Sequence, residues 1–362
     1  MVFTYLIYIL TLFLSMGISF FQRNLKSLID HKDSYKFISL IPIVLISSLR
    51  SNSVGTDTDN YFILFTDRID SWNFFEQPFL TLLNFEPLFY FLIKSLKFLN
   101  IDFTGFLLII STIIWTLIYL STINRVKYFY HVIFFSLTLG FLFFSFNGVR
   151  QSIALSFVFL SVSYFIDSKK KKFFLTIFVA SLFHYSATLL IPIIWFISKI
   201  NFQKAHWIII FFIAFMIPES VFYSSISYVF SYFPFYSNYI NSIIQDGYGL
   251  TTLTFGVFLN YIILLLPLLY FKVSKINSYN KHIFNISFFG ALLYIIFSGN
   301  MIFQRFIVYF TFFQIFQYSL IFDYLKKINK KHDKMILTLF FFIVFLIKIT
   351  VNDSGISPYI FN

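Results

Sequence analysis

The chain has 362 residues, of which 59% are hydrophobic, 24% aromatic and only 12% charged, with 58 Phe and 24 Tyr and a mean hydropathy of +0.81. Soluble domains carry roughly a quarter charged residues, so a soluble globular enzyme is excluded, as are disordered, coiled-coil and collagen-like chains. The absence of Cys removes disulfides, thiolate metal sites and thiol nucleophiles, and the net charge of +12 reads as Lys and Arg in cytoplasmic loops and not as a nucleic-acid surface.

In chain order, the first apolar run, Val2 to Phe21, has no positive n-region and no small-x-small cleavage site, and Arg23 and Lys26 follow it. It reads as a retained span. Further runs at 37–49, 103–123, 128–146, 150–166, 206–217, 251–271, 282–298, 302–323 and 335–350 complete ten expected crossings. Two segments are expected to cross only in part. The run 173–197 is interrupted by His184 and Pro192. In 86–99, Glu86, Tyr90, Lys94 and Lys97 fall within about 80° of helical arc, which suits a helix lying along the interface. The expected fold is all-α, a polytopic integral membrane bundle of about 10–12 helices, forming a single domain over 1–362 without a repeat or linker.

With the N-terminus outside, the cytoplasmic loops hold 20 of the 27 positive residues, including Arg125, Lys127, Lys169 to Lys172 and Lys326 to Lys334. Letting both doubtful segments cross lowers the tally to 17, so the positive-inside rule favours the first scheme. Arg50, Arg68, Lys94, Lys97, Arg150, Arg305 and Lys348 then remain outside or deep, with ten of the 15 acidic residues. Hydrophilic loops at about 50–102 and 218–250 face the same way. Function is expected on the extracytoplasmic face.

An ionisable residue at the edge of a span is expensive and is a functional candidate by default. Arg50, Arg150 and Arg305 each stand at a span end, where a guanidinium suits bidentate binding of phosphate or diphosphate. One such Arg alone would read as an interfacial anchor; three on one side favour the ligand reading. Asn147, Arg150, Gln151 and Ala154 share a helical face beside Gly148, and Tyr309 lies one turn from Arg305.

Gly55-Thr-Asp57-Thr-Asp59-Asn-Tyr61 is the most polar cluster. An EF-hand fails there, because Phe62 and Arg68 replace the required Gly and Glu. A D-x-D sugar-nucleotide site lacks its accompanying domain, and a plain solvated turn competes with both. Glu86, followed by Pro87, is either a helix start or a carboxylate held as a general base. His184, midway along an apolar run between Ser181 and Thr188, is either a satisfied structural residue or a group for proton transfer or phosphate binding. No metal-ligand cluster is evident, and no cofactor is expected.

Ser48-Leu-Arg50, Gly55-Thr-Asp57 with Tyr61, Glu86-Pro-Leu-Phe-Tyr90, Asn147-Gly-Val-Arg-Gln151 with Ala154, Phe183-His-Tyr-Ser-Ala187 and Arg305 with Tyr309 occur in this order over about residues 48–309. The set resembles the EpsG-like family of exopolysaccharide proteins, within the wider group of Wzy-type O-antigen and capsule polymerases. Asp59 carries less weight in the match. The resemblance implies a GT-C-like, metal-independent glycosyltransferase of the bacterial cytoplasmic membrane. It would transfer an undecaprenyl-diphosphate-linked glycan to the non-reducing end of another lipid-linked repeat unit, outside the membrane, with a chain-length regulator and a flippase as companions. Arg50, Arg150 and Arg305 would bind the diphosphate, and Asp57, Glu86 or His184 would be the base. Asn147, Gln151, Tyr61 and Tyr309 would position sugar or phosphate oxygens. A glycan ligase or another lipid-linked glycan transferase uses the same donor with a different acceptor. A transporter would place charge nearer the midplane, and a membrane acyltransferase using His184 shows no donor site.

Overall fold

Each apolar run expected to cross the bilayer is helical over its described length, apart from short breaks, in the computed structural model, which describes residues 1–25, 33–69, 86–122, 125–217, 254–299 and 301–362 with the isolated positions 221 and 228. Residues 70–85 and, apart from positions 221 and 228, the loop expected at 218–250 lie outside the described residues.

The helices are α1 (Val2–Leu25), α2 (Ile41–Ser48, after a 3-10 stretch at Asp33–Leu40), α3 (Thr58–Ile63, running into a π turn at Leu64–Arg68), α4 (Pro87–Phe98), α5 (Phe103–Thr122), α6 (Phe129–Thr138), α7 (Phe141–Asn147) and α8 (Val149–Ile166). There follow α9 (Lys170–Phe183), a 3-10 turn at Tyr185–Leu189, α10 (Leu190–Lys199), α11 (Lys204–Met216), α12 (Phe255–Leu265, continued as 3-10 to Lys275), α13 (Ser278–Phe297), α14 (Met301–Thr311), α15 (Gln314–Lys327) and α16 (Lys331–Thr350). Among the described residues, β pairing is confined to a bridge between Arg50 and Phe361. Among the described residues six helices are long and apolar enough to cross a membrane, seven with α6–α7 taken as one bent span, and shorter apolar helices lie at 37–48, 185–199 and 204–216. The chain is an all-α, multi-pass membrane bundle.

The fold divides into two compact units, Met1–Pro192 with Tyr318–Asn362, and Ile193–Gln317. In the first, α8 is largely enclosed. It packs on α5 and α9, and its buried small residues Ser152, Ala154 and Ser156 let neighbouring backbones approach closely. The Ser156 hydroxyl is absorbed by its own helix, donating to the Ser152 carbonyl at 2.8 Å. On the other flank α1 packs against α2, α6 and α16, and Phe135, Tyr318 and Phe341 form a ring cluster with centroids 4.5–5.3 Å apart.

A bend of 58° separates α6 from α7. It occurs at Gly140, whose φ of +88° is costly for any residue with a Cβ. The Lys348 stem lies against this bend, about where a Cβ would be crowded at 3.3 Å, and its ammonium donates to Asp353 at 2.9 Å. The deep lysine of α16 is therefore an ion-paired residue that packs the bend.

The two ends of this unit differ in charge. At one end Asp167 pairs with Arg125 at 2.7 Å, and Asp323 accepts from the Lys127 amide at 2.7 Å and faces His131 Nδ1 at 2.8 Å. Lys334 reaches His131 Nε2 at 3.0 Å. Arg150 stands at the opposite end, because α8 separates it from Asp167 by about 25 Å at 1.5 Å per residue.

In the second unit α13 is central, packing on α11, α12 and α14. Its aromatic seam includes Trp207 against Phe288 with centroids 5.3 Å apart. Two polar residues of this unit are paired within it: Asn260 donates to the Tyr294 hydroxyl at 2.8 Å and Asn285 to the Ile200 carbonyl at 3.0 Å.

Candidate active site

Glu86 occupies the N-cap of α4, with Pro87 at the first helical position. Its side chain does not cap the helix. One carboxylate oxygen, Oε2, accepts from Arg150 Nη1 at 2.5 Å, and the other, Oε1, lies 2.7 Å from His184 Nδ1. The backbone of Glu86 thus starts a helix, as one of the two sequence readings has it, while its carboxylate joins three distant segments.

Glu86 is 4% exposed, whereas the Arg150 and His184 side chains are each about 30% exposed. Burial alone would raise the Glu86 pKa, but the hydrogen bond from His184 and the Arg150 charge outweigh it and hold the carboxyl below its ordinary value. An ionised carboxylate only accepts, so the proton between the two belongs to Nδ1 of His184. In the neutral imidazole Nε2 then carries the lone pair. A carboxylate that fixes a histidine tautomer, with the imidazole partly open to solvent, is the arrangement of a general base and its orienting partner.

Local backbone makes this geometry possible. α9 stops at Phe183, and His184 is extended with φ −160° and ψ 112°. Its carbonyl accepts the Ala187 amide, which opens the following 3-10 turn. The interruption expected within 173–197 thus sits at His184 itself, at the C-cap of one helix.

Tyr61 of α3 is close enough to Arg150 for each to influence the other's charge, and its ring meets Phe89 edge-on at 6.0 Å. The Arg150 guanidinium lies 5.9 Å from the centre of the same Phe89 ring. Tyr185 is close enough to feel the Glu86 charge. Phe89 and Tyr185 stand within the motifs that carry the family resemblance, but the sequence assigns them no role. Phe89 is three residues after Glu86 and so on its helical face, a signal available in advance, and Tyr185 simply follows His184.

The remaining candidates are distributed elsewhere. Asp57 is the N-cap residue of α3, with its backbone amide donating to Asn147 Oδ1 at 3.1 Å. The Thr56 hydroxyl donates to the same oxygen at 3.1 Å, and Asn52 donates to Asp59 at 3.0 Å. Gly55, with φ +103°, allows this close turn, since a Cβ there would lie 2.9 Å from Asn147 Oδ1. The Asp57 region is thus docked on Asn147, not a free solvated turn. Gln151 is buried on α8.

Arg50 is 2% exposed. Its guanidinium donates to the Ser47 carbonyl and stacks 4.3 Å from the Phe146 ring centre, while Nε has no partner among the described residues. Burial draws its pKa down to about 10, against the opposing influence of Tyr359 and Tyr8, so it remains charged at neutral pH. In the second unit, Arg305 is exposed on α14 and Tyr309 is fully buried one turn later. Among the described residues no three His, Asp or Glu side chains gather as a metal site would require.

A comparison with protein-family models matches the chain to the EpsG family over residues 34–361, nearly its whole length. No match was found among curated proteins or among solved structures.

Proposed function

The chain belongs to the EpsG family of Wzy-like polysaccharide polymerases, and from that premise we propose that it joins undecaprenyl-diphosphate-linked oligosaccharide repeat units at the extracytoplasmic face of the bacterial cytoplasmic membrane. The observation that carries the reading is the Glu86–His184 pair beside Arg150, half open at one end of a membrane bundle. The opposite end collects Arg125, Lys127 and the Lys326–Lys334 cluster, which the positive-inside rule assigns to the cytoplasm.

In this mechanism a sugar hydroxyl of the acceptor attacks the anomeric carbon of the donor. The new C–O bond forms as the bond to the diphosphate breaks, and the lipid diphosphate leaves with that electron pair. His184 Nε2 takes the hydroxyl proton, and Glu86 stabilises the imidazolium through Nδ1. Arg150 and Tyr61 face the developing negative charge of the leaving diphosphate, so no metal is invoked. Arg305 remains a proposed phosphate ligand of the second unit, with Tyr309 as its support. Gln151 is proposed to position substrate oxygens, while burial suits Arg50 to holding the end of α2 and not to direct ligation. A flippase would deliver the donor, and a chain-length regulator would act on the product.

The test is a polysaccharide ladder from cells lacking the gene, complemented with wild type or His184→Gln at equal membrane abundance. The reading expects a single repeat unit and no ladder in both the deletion and the His184→Gln strain. Loss of the single-unit product as well would favour ligation or transport. An unchanged ladder in the deletion strain would end the proposal.

A further inference from the structure

The segment Asn352–Asn362 is laid across the outer edge of the first unit and stitched there by backbone hydrogen bonds. Ser51 donates to the Ile360 carbonyl at 2.8 Å, Gly55 to Gly355 at 2.8 Å, Thr56 to Ser354 at 3.3 Å, and Asn362 to Leu49 at 3.0 Å. Tyr359 adds its hydroxyl to the Ile46 carbonyl at 2.9 Å.

Asn147 joins this segment to the loop before α3. Its Nδ2 donates to the Ser354 carbonyl at 2.8 Å and to Phe143 at 3.4 Å, and its Oδ1 accepts from the Thr56 hydroxyl and the Asp57 amide. A carboxamide has two donors and two acceptor lone pairs, so every one of them is engaged within the protein. The Asp57 amide it holds opens the first turn of α3, where Tyr61 N donates back to the Asp57 carbonyl at 3.2 Å. The Tyr61 ring packs on Phe89, the same ring that the Arg150 guanidinium approaches, and Arg150 bonds Glu86.

We propose that Asn147 and the segment Asn352–Asn362 form a clasp that positions Tyr61, and through it Arg150 and Glu86, so that Asn147 is a positioning residue and not a substrate ligand. This rests on the polymerase reading for its effect on turnover, while the clasp itself is tested separately.

The experiment uses the protein in lipid nanodiscs, with Asn147→Ala and the exposed, near-isosteric Thr56→Val, which removes only the hydroxyl bond to Oδ1, as the two exchange variants, and with Tyr61→Phe alone and combined with Asn147→Ala for turnover. The probe is the lipid-linked repeat unit extracted from the gene-deletion strain. Amide hydrogen exchange over Asp57–Tyr61 is expected to rise in both variants while α5 stays protected. Turnover is expected to fall at least about tenfold in Asn147→Ala, as for a misplacement far from the chemistry, with KM within twofold. The double variant Asn147→Ala/Tyr61→Phe is expected to be no slower than the slower single variant. Unchanged exchange in both variants overturns the clasp whatever the activity. A rise in KM with turnover unchanged also overturns it, restoring Asn147 as a ligand. A wild-type protein that does not lengthen the probe overturns the polymerase reading instead, and the exchange measurement still decides the clasp.

Discussion

The Glu86 carboxylate lies 2.7 Å from Nδ1 of His184, and this contact determines which imidazole nitrogen is left to act on a substrate. Glu86 reaches it from the cap of α4, and His184 from a break between two helices, 98 residues further along the chain. Arg150 closes the triangle on the second carboxylate oxygen, so one buried acid organises two half-open groups of different chemistry.

His184→Gln should lower the rate of chain extension by about 10²- to 10⁴-fold, the range of a general base. Glu86→Gln leaves the imidazole in place without its tautomer control and should fall by a similar order. The two together should be no worse than His184→Gln alone, measured as polymer formed per unit time at equal membrane abundance.

Arg150→Ala leaves the buried Glu86 charge without its guanidinium and should destabilise the protein by about 1–3 kcal/mol. Adding Glu86→Gln to it should recover part of that loss, because the stranded charge is gone. Thermal unfolding midpoints of the two variants in one detergent check this. A double variant less stable than Arg150→Ala would show that the carboxylate is held by something else.

The pH dependence follows from the depressed pKa of Glu86. A carboxyl whose folded pKa lies below its unfolded value of about 4.3 stabilises the fold at every pH above that value and loses the contribution as pH falls through the folded one. The difference in unfolding midpoint between wild type and Glu86→Gln should thus not narrow from pH 8 to 5, and should narrow below about pH 4. A difference that shrinks already between pH 7 and 6 would contradict the pairing.

Arg50→Ala should act on folding and abundance before it acts on chemistry. The variant opens a cavity beside Phe146 and removes a bond to the Ser47 carbonyl, a combined loss of about 2–4 kcal/mol. Polymer per molecule of folded protein should stay within a few-fold of wild type. A loss of more than a hundredfold at normal stability would return Arg50 to the ligands.

Gly140→Ala forces a Cβ into the left-handed region at the α6–α7 bend and against the Lys348 stem, at a cost of about 1–2 kcal/mol. A lower unfolding midpoint is expected, with the Glu86–His184 chemistry intact in the folded fraction.

The membrane bundle was legible in the sequence because bilayer crossing is a matter of length and hydropathy, which are local: the runs at 2–21, 103–123 and 150–166 became α1, α5 and α8 with ends shifted by a few residues. Glu86, Arg150 and His184 could be named as candidates because an ionisable group inside or at the edge of an apolar run is costly wherever it points. Their meeting could not be read, since Glu86, Arg150 and His184 belong to three segments brought together only by the packing of α4 on α9 and of α9 on α8. The same holds for the three arginines, alike in sequence as polar groups at span ends. Tertiary structure buries Arg50 on Phe146, pairs Arg150 with a carboxylate and leaves Arg305 exposed. A residue's type and its nearest neighbours set the cost of placing it, but its partners come from distant parts of the chain, and the partners decide what it does.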